Sequence, residues 1–339
     1  RSSGSLWKIV RNTSRSFCSS QPQKIFDREL KWTQLDTLAQ IENIDEYHYL
    51  RDEVGRRLLD RLYDVKNPNF DKIVDISSNF KPEHLKTLQK FTKKKILQLS
   101  PSIENLKKSR METNDTTQLV VADEEYIPLK NNSVNLITSN LAFHWINDLP
   151  GTFIQARQAL KPDGMLMVSM FGGNTLKELR ESFIIAEQER ESGIGVHVSP
   201  FARVVDLGNL LTKAGFNLPT IDNERIVIRY PSAWVLMQEL GMMGESNVVF
   251  NRRENTPLDT ILAAAAIYQE NYQFEDGTIP ATFEVLYGIG WVPHESQQKA
   301  LPRGSAEFSL KQLEYDTEDT ETEDEIPEIE ESKVKEVEN

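Results

Sequence analysis

The sequence predicts an α/β fold built on a mostly parallel, seven-stranded sheet, with a helical insertion before the last strand. Three observations lead to this class. Short apolar segments recur along the first 170 residues, and stretches of helical periodicity separate most of them. Longer helical and alternating segments follow after residue 174. Strands that alternate with helices imply right-handed crossovers and hence a largely parallel sheet.

The individual elements follow from local periodicity and turn residues. Residues 28–63 are predicted to be helical, with apolar residues three and four apart. The first five strands are expected at residues 73–76, 96–99, 118–121, 134–138 and 165–170, with a helix at 82–91 and a turn at 161–164.

The second half of the chain continues the pattern. Helices are predicted at 176–191 and 206–214, the latter closed by Gly215 as a C-cap. An alternating strand at 220–230 precedes helices at 234–240 and 260–272. These two helices form the insertion, at about residues 231–275, and a last strand is predicted at 282–291.

Both ends of the chain differ in composition from its centre. Residues 1–26 hold five basic residues, seven serines and no acid, which is typical of a mitochondrial transit peptide. The alternative is a basic arm that binds an acidic partner. Residues 314–339 hold thirteen acids and two lysines, so we expect residues 306–339 to form a disordered acidic tail. Residues 27–305 remain as the folded domain.

Composition also excludes several classes of protein. The single cysteine, Cys18, rules out a disulfide framework and a cysteine-rich metal site. No apolar run approaches the roughly 20 residues that span a bilayer. No basic patch suited to nucleic acid is visible, so no nucleic-acid partner is expected.

The turn after the first predicted strand carries side chains where a nucleotide-binding α/β domain normally has glycines. Ser77, Asn79 and Lys81 occupy these positions. Glycine lets the backbone approach a ligand closely, so these side chains obstruct the usual binding mode.

Several motifs outside this turn are well preserved and resemble a known family. The Lys-Pro-Asp-Gly turn at 161–164 is common in methyltransferases, whereas Met-Phe-Gly-Gly at 170–173 and Met-Gly-Glu-Ser-Asn at 243–247 are more specific. The matching stretches are 139–150, 159–164, 170–176, 197–201, 206–208, 214–217, 241–247, 262–268 and 287–291. Together they resemble the Rossmann-like class I methyltransferase fold and, more closely, the mitochondrial complex I assembly factor 5 family of methyltransferase-like arginine hydroxylases.

The resemblance implies a function, a place and a partner. Members of this family act in the mitochondrial matrix, peripheral to the inner membrane, early in complex I assembly. They hydroxylate an arginine of an iron–sulfur core subunit of the matrix arm. Two alternatives stay open: a methyltransferase that uses S-adenosylmethionine, and a non-catalytic assembly chaperone.

The resemblance also indicates where S-adenosylmethionine would bind, namely across the carboxyl ends of the strands. Of its three usual anchors, the glycine turn is replaced by Ser77 and Asn79. The second strand ends without a carboxylate, and Asp123 fits the adenine-binding position. We expect the cofactor to bind weakly or not at all, and Asp123 is equally compatible with a solvated turn or a helix cap. The predicted cofactor set is completed by Asp75, Asn140 and Leu141.

The catalytic candidates follow the fourth predicted strand. They are His144, Trp145 and Asp148, with His144 as a general base. An iron-dependent hydroxylase would need two histidines and one carboxylate on a common face, which His144, Asp148 and His197 could supply. No histidine pair shows a tight metal-binding spacing, so no metal ligand is assigned, although the sequence leaves iron open. The alternative is that His144 is a packed core residue.

Overall fold

The computed structural model describes residues 24–298, except 67, 69, 114–116, 192 and 254, together with residues 304–305. The predicted acidic tail and residues 1–23 of the predicted transit peptide lie outside the described residues. The chain divides into two compact units, Arg1–Glu295 and Ser296–Asn339, and every element below belongs to the first.

The predicted sheet class is confirmed. Seven strands lie in the order β3-β2-β1-β4-β5-β7-β6, and all neighbouring pairs are parallel except β5 with β7 and β7 with β6. The strands are β1 (Ile73–Ile76), β2 (Ile96–Ser100), β3 (Thr117–Val121), β4 (Val134–Asn140), β5 (Leu160–Phe171), β6 (Asn217–Tyr230) and β7 (Ile279–Trp291).

Helices cover both faces of this sheet. They are α1 (Arg28–Ala39), α2 (Tyr49–Asp60), α3 (Pro82–Gln89), α4 (Ile103–Thr113), α5 (Leu149–Ala159), α6 (Lys177–Arg190), α7 (Val204–Ala214), α8 (Ala233–Met242) and α9 (Leu258–Tyr272). Helices α8 and α9 form the predicted insertion between β6 and β7. Gly215, at φ 88°, closes α7 as expected.

The core lies in two layers because successive strand residues point to opposite faces. Met167 packs in the cluster that includes residues of α2, α6 and α8, whereas its neighbour Val168 packs in the cluster that includes residues of α5 and α7. Each layer therefore buries one row of strand side chains beneath helices.

Two local predictions were wrong. The helix predicted over residues 28–63 is interrupted between α1 and α2, where Asn43 takes a left-handed φ of 61°. The break lets α1 leave the path of α2 and reach the carboxyl ends of the strands. Residues 161–164, predicted as a turn, belong to β5, although Asp163 keeps a turn-like φ of 62°.

Candidate functional site

The turn after β1 keeps the backbone of a glycine turn while it carries side chains. Ser77 and Asn79 have φ values of 54° and 48°, a left-handed region that L-residues seldom adopt. The Ser77 hydroxyl donates to Glu124 at 2.7 Å. Burial raises the pKa of Asp75, on β1, to about 6, although hydrogen bonds from Ser78 and Thr138 oppose the rise. The turn is thus tied into the protein's own polar network.

The predicted cofactor residues after β4 also make internal contacts. The Asn140 amide donates to the Arg51 carbonyl at 3.0 Å and accepts from the Ser169 hydroxyl at 2.7 Å. Leu141 is buried with a left-handed φ of 48°, which is unusual for a bulky residue and typical of strained functional sites. Both residues fix the end of β4 against α2 and β5.

Arg28 joins helix α1 to the carboxyl ends of the strands. The Arg28 guanidinium pairs with Asp123, with Glu124 and, at 3.3 Å, with Glu125. Burial raises the pKa of Glu124, and both Arg28 and Ser77 counteract the rise. Asp123, the predicted adenine acceptor, is therefore engaged by a cation of the chain itself.

A second cation of α1, Lys31, is buried near the start of the loop that follows α8. Its ammonium group donates to the Gly244 carbonyl and lies 3.8 Å from the centre of the Trp145 ring. Burial lowers the pKa of Lys31 to about 8, even though Glu245 opposes this effect. Helix α1 is thus joined both to the strand ends and to the insertion.

As packed, these residues leave only narrow spaces where S-adenosylmethionine would bind. Two spaces at this edge, one lined by Asp75 and Ser100 and the other by Arg28 and Lys31, measure about 50 and 30 Å³. Strand β2 ends at Ser100 and offers no carboxylate for a ribose.

A carboxylate that was not predicted as a site residue, Glu245, contacts two of the three catalytic candidates. Its oxygens lie 3.2 Å from His144 Nε2, 3.2 Å from Trp145 Nε1 and 3.3 Å from Arg51 Nη2. Burial alone would raise the pKa of Glu245, but Lys31, His144 and Arg51 together lower it to about 2. Glu245 is consequently ionised at neutral pH.

The His144 imidazole is enclosed by aromatic rings, and among the described residues its hydrogen-bond partner is Glu245. Its ring centre lies 4.8 Å from that of Phe171 and 5.7 Å from that of Phe201. Burial lowers its pKa despite the nearby Glu245 carboxylate, so the imidazole is neutral at neutral pH. Its Nδ1 is buried without a hydrogen-bond partner among the described residues. The neutral tautomer with hydrogen on Nε2 suits both observations.

The other candidates are not brought to Glu245. Asp148 is the N-cap of α5 and accepts from the Gly151 amide at 2.9 Å. His197 pairs with Glu187 at 2.7 Å and stacks on Phe183. Within the described part of the chain, no three His, Cys, Asp or Glu side chains are grouped to hold a metal ion. His144, Asp148 and His197 therefore do not form the triad that an iron site would need.

A larger cavity, here called the Glu245 cavity, opens on the far side of this carboxylate. It measures about 210 Å³ and lies between α6, α8 and the segment 197–201. Apolar walls come from Leu176, Leu179, Phe183 and Leu240. Half-buried residues, among them Met237 and Asn247, stand at its rim.

The sequence offered one signal for the residues that were missed. Glu245 lies within the specific Met-Gly-Glu-Ser-Asn stretch at 243–247, directly after a glycine. Arg51 and Lys31 fall in helical segments, where a charged residue ordinarily faces solvent, and nothing local marks them as buried.

Comparison with known proteins places this arrangement in the methyltransferase class. A family model described as a methyltransferase domain matches residues 81–168. A Bacillus halodurans structure assigned as a methyltransferase superposes with a TM-score of 0.50 at 16% identity, covering 71% of this chain and 99% of that one. The fold is therefore that of class I methyltransferases.

Sequence relatives narrow the class to one family. The chain is 45% identical over 304 residues to the zebrafish (Danio rerio) protein named arginine-hydroxylase NDUFAF5, mitochondrial, covering 90% of this chain and 94% of that protein. It is also 33% identical to a malonyl-[acyl-carrier protein] O-methyltransferase of Gallionella capsiferriformans, covering 74% of this chain and 87% of that enzyme. The chain belongs to the NDUFAF5 arginine-hydroxylase family.

Proposed function

We propose that this chain is a mitochondrial arginine hydroxylase that acts in complex I assembly on an iron–sulfur core subunit of the matrix arm. The observation that carries the proposal is the match, at 45% identity, across 94% of a protein named as a mitochondrial arginine-hydroxylase.

The chemistry of the site supports an arginine substrate. A guanidinium is always charged and is best recognised by a carboxylate. Glu245 is buried and ionised, and it contacts His144 and Trp145 directly after β4. The site therefore presents a buried carboxylate beside His144, with the cations Arg51 and Lys31 close to it.

The proposed subcellular location follows from the names of the relatives and from the sequence. Relatives from zebrafish to Dictyostelium discoideum are named mitochondrial. Among the described residues, no helix combines the length and the apolarity that a membrane crossing requires. We place the protein in the matrix, with peripheral attachment to the inner membrane, as the family resemblance implies.

Methyl transfer is the second candidate, because the Gallionella relative is named as a methyltransferase. The narrow spaces between α1 and the carboxyl ends of the strands argue against methyl transfer. Calorimetry should show no micromolar binding of S-adenosylmethionine to the purified chain, and micromolar binding would contradict this expectation. A Ser77→Gly, Asn79→Gly variant tests whether the turn alone is responsible, since tight binding would then appear.

The test of the proposed function is peptide mass spectrometry of the matrix-arm subunits from cells with and without this protein. Complex I assembly is followed in parallel on native gels. The proposal expects one arginine-borne oxygen to disappear together with assembled complex. Lost assembly with the modification intact would identify a chaperone, and unchanged assembly and modification would refute the proposed role.

A further inference from the structure

The Glu245 cavity has the size and the wall chemistry for one long side chain. Its volume of about 210 Å³ far exceeds the roughly 10–15 Å³ that a water needs. Leu176, Leu179 and Leu240 offer apolar surface along it, and its lining also includes Phe201 and the stacked rings of Phe183 and His197. Such walls suit a methylene stem, and aromatic faces suit a planar cation.

Glu245 places a carboxylate in the cavity lining, with Arg51 and Lys31 beside it as compensating cations. The Glu245 side chain is only 7% exposed, and it receives three donors at the long distances of 3.2–3.3 Å. A carboxylate has about four acceptor positions, so one remains for an incoming donor. Two neutral rings, those of His144 and Trp145, supply two of the present donors, so Arg51 is the one cation within hydrogen-bond distance of Glu245 among the described residues.

Glu245 also separates the cavity from the edge of the sheet. On its other side it lines a space of about 10 Å³ together with Arg51, Leu141 and Phe171. A side chain that reached Glu245 through the cavity would therefore end beside His144 and the carboxyl end of β4.

We infer that the Glu245 cavity receives the side chain of the substrate arginine, with its guanidinium on the Glu245 carboxylate. This inference rests on the proposed function and adds the place of substrate binding and the residue that selects it. Arginine is favoured over lysine because its planar fork can donate to a carboxylate already shared with other donors and can stack on aromatic rings.

One residue allows the cavity to be closed without disturbing its charges. Gly241 lies on α8 and lines the cavity, and a Cβ placed there would meet only the Ser246 hydroxyl, at 3.8 Å. Gly241→Leu should fill the cavity while Glu245 keeps its partners. Gln238→Leu, at an exposed position of the same helix, is the matched control.

The experiment measures binding of N-acetyl-arginine methylamide to the full chain by saturation-transfer NMR. The citrulline analogue, which has the same shape without the charge, should bind at least about tenfold more weakly, because a charge-assisted hydrogen bond is lost. Gly241→Leu should weaken arginine binding by a similar factor, and Gln238→Leu should leave it unchanged. Glu245→Gln should abolish the preference for arginine over citrulline.

Equal binding of the arginine and citrulline amides, unaltered binding to Gly241→Leu, or no binding to the wild type would each overturn the inference. The Gly241→Leu result decides the matter even if Glu245→Gln fails to fold. Hydroxylation that persists in Gly241→Leu cells would refute this binding site and leave the proposed function standing. Selective binding of the arginine amide without any hydroxylation in cells would support this binding site and refute the proposed function.

Discussion

Glu245 shows how one buried carboxylate can organise a site that has no metal-binding cluster among the described residues. Lys31, Arg51 and His144 all act to lower its pKa, against the effect of burial. Removing one partner of such a buried pair typically costs about 3–5 kcal/mol, because the remaining charge is left uncompensated. Lys31 and Arg51 therefore keep Glu245 ionised at neutral pH and at the same time compensate its charge.

The pH dependence of stability should report the burial of Lys31. Its pKa is about 8 in the folded chain and 10.5 when unperturbed, so the unfolded chain binds the extra proton between these values. The free energy of unfolding should therefore rise with pH in this window, by up to about 1.4 kcal/mol per pH unit from this group. Lys31→Met should lack this rise.

Urea unfolding at several pH values between about 7.5 and 9.5 measures this rise in the free energy of unfolding. That range covers roughly the lower part of the interval between the two pKa values. The exposed Lys86→Met is the control and should keep the wild-type slope. If the free energy of unfolding changed with pH equally in wild type and Lys31→Met, folding would not lower the pKa of Lys31.

Substitutions of Asp148 distinguish a structural role of this residue from a catalytic one. Its carboxylate caps α5 through the Gly151 amide, so Asp148→Ala should lower the free energy of unfolding by about 1 kcal/mol. Asp148→Asn can still cap the helix and should retain both stability and arginine modification. Loss of modification in a stable Asp148→Asn protein would instead return Asp148 to the catalytic set.

At the scale of elements, the end of α8 decides where Glu245 lies. Gly244 has a left-handed φ of 78°, and the Glu245 amide donates back to the Leu240 carbonyl at 2.9 Å. This turn ends the helix and directs the following carboxylate inward. Lys31 on α1 secures the same turn through the Gly244 carbonyl.

Two glycines three residues apart should therefore respond oppositely to alanine. Gly241→Ala adds a Cβ in open helical space and should raise the free energy of unfolding by about 0.5–1 kcal/mol. Gly244→Ala forces a left-handed alanine against Leu38, 3.2 Å away, and should lower it by at least about 1 kcal/mol. Chemical denaturation checks both, and stabilisation by Gly244→Ala would contradict the turn described here.

The correctly predicted elements are those with strong local periodicity. The strands, the insertion and the Gly215 cap are confirmed, because apolar alternation and helix-ending glycines are local signals. The separation of α1 from α2 was missed, because only the left-handed Asn43 marks it and asparagine has many roles. The position of α1 over the strand ends depends on long-range pairs from Arg28 and Lys31, which no local pattern encodes.

For the whole molecule, sequence reasoning predicted the fold more fully than the site. The mostly parallel sheet follows from the alternation of strands and helices and from crossover rules, which depend on many residues at once. The site depends on contacts such as Arg51 with Glu245, which are 194 residues apart in the chain. His144 and Trp145 were predicted as site residues from their place after β4, and both contact the missed Glu245, whereas Asp148 caps a helix instead.

The most direct measurement of the central claim is the arginine-borne oxygen on matrix-arm subunits, in cells that lack the protein and re-express one variant at a time. The wild type and Gln238→Leu should restore the oxygen, and Gly241→Leu and Glu245→Gln should not, at equal protein levels. Such a result would assign arginine hydroxylation to the Glu245 cavity. Full restoration by Gly241→Leu and Glu245→Gln would contradict that assignment.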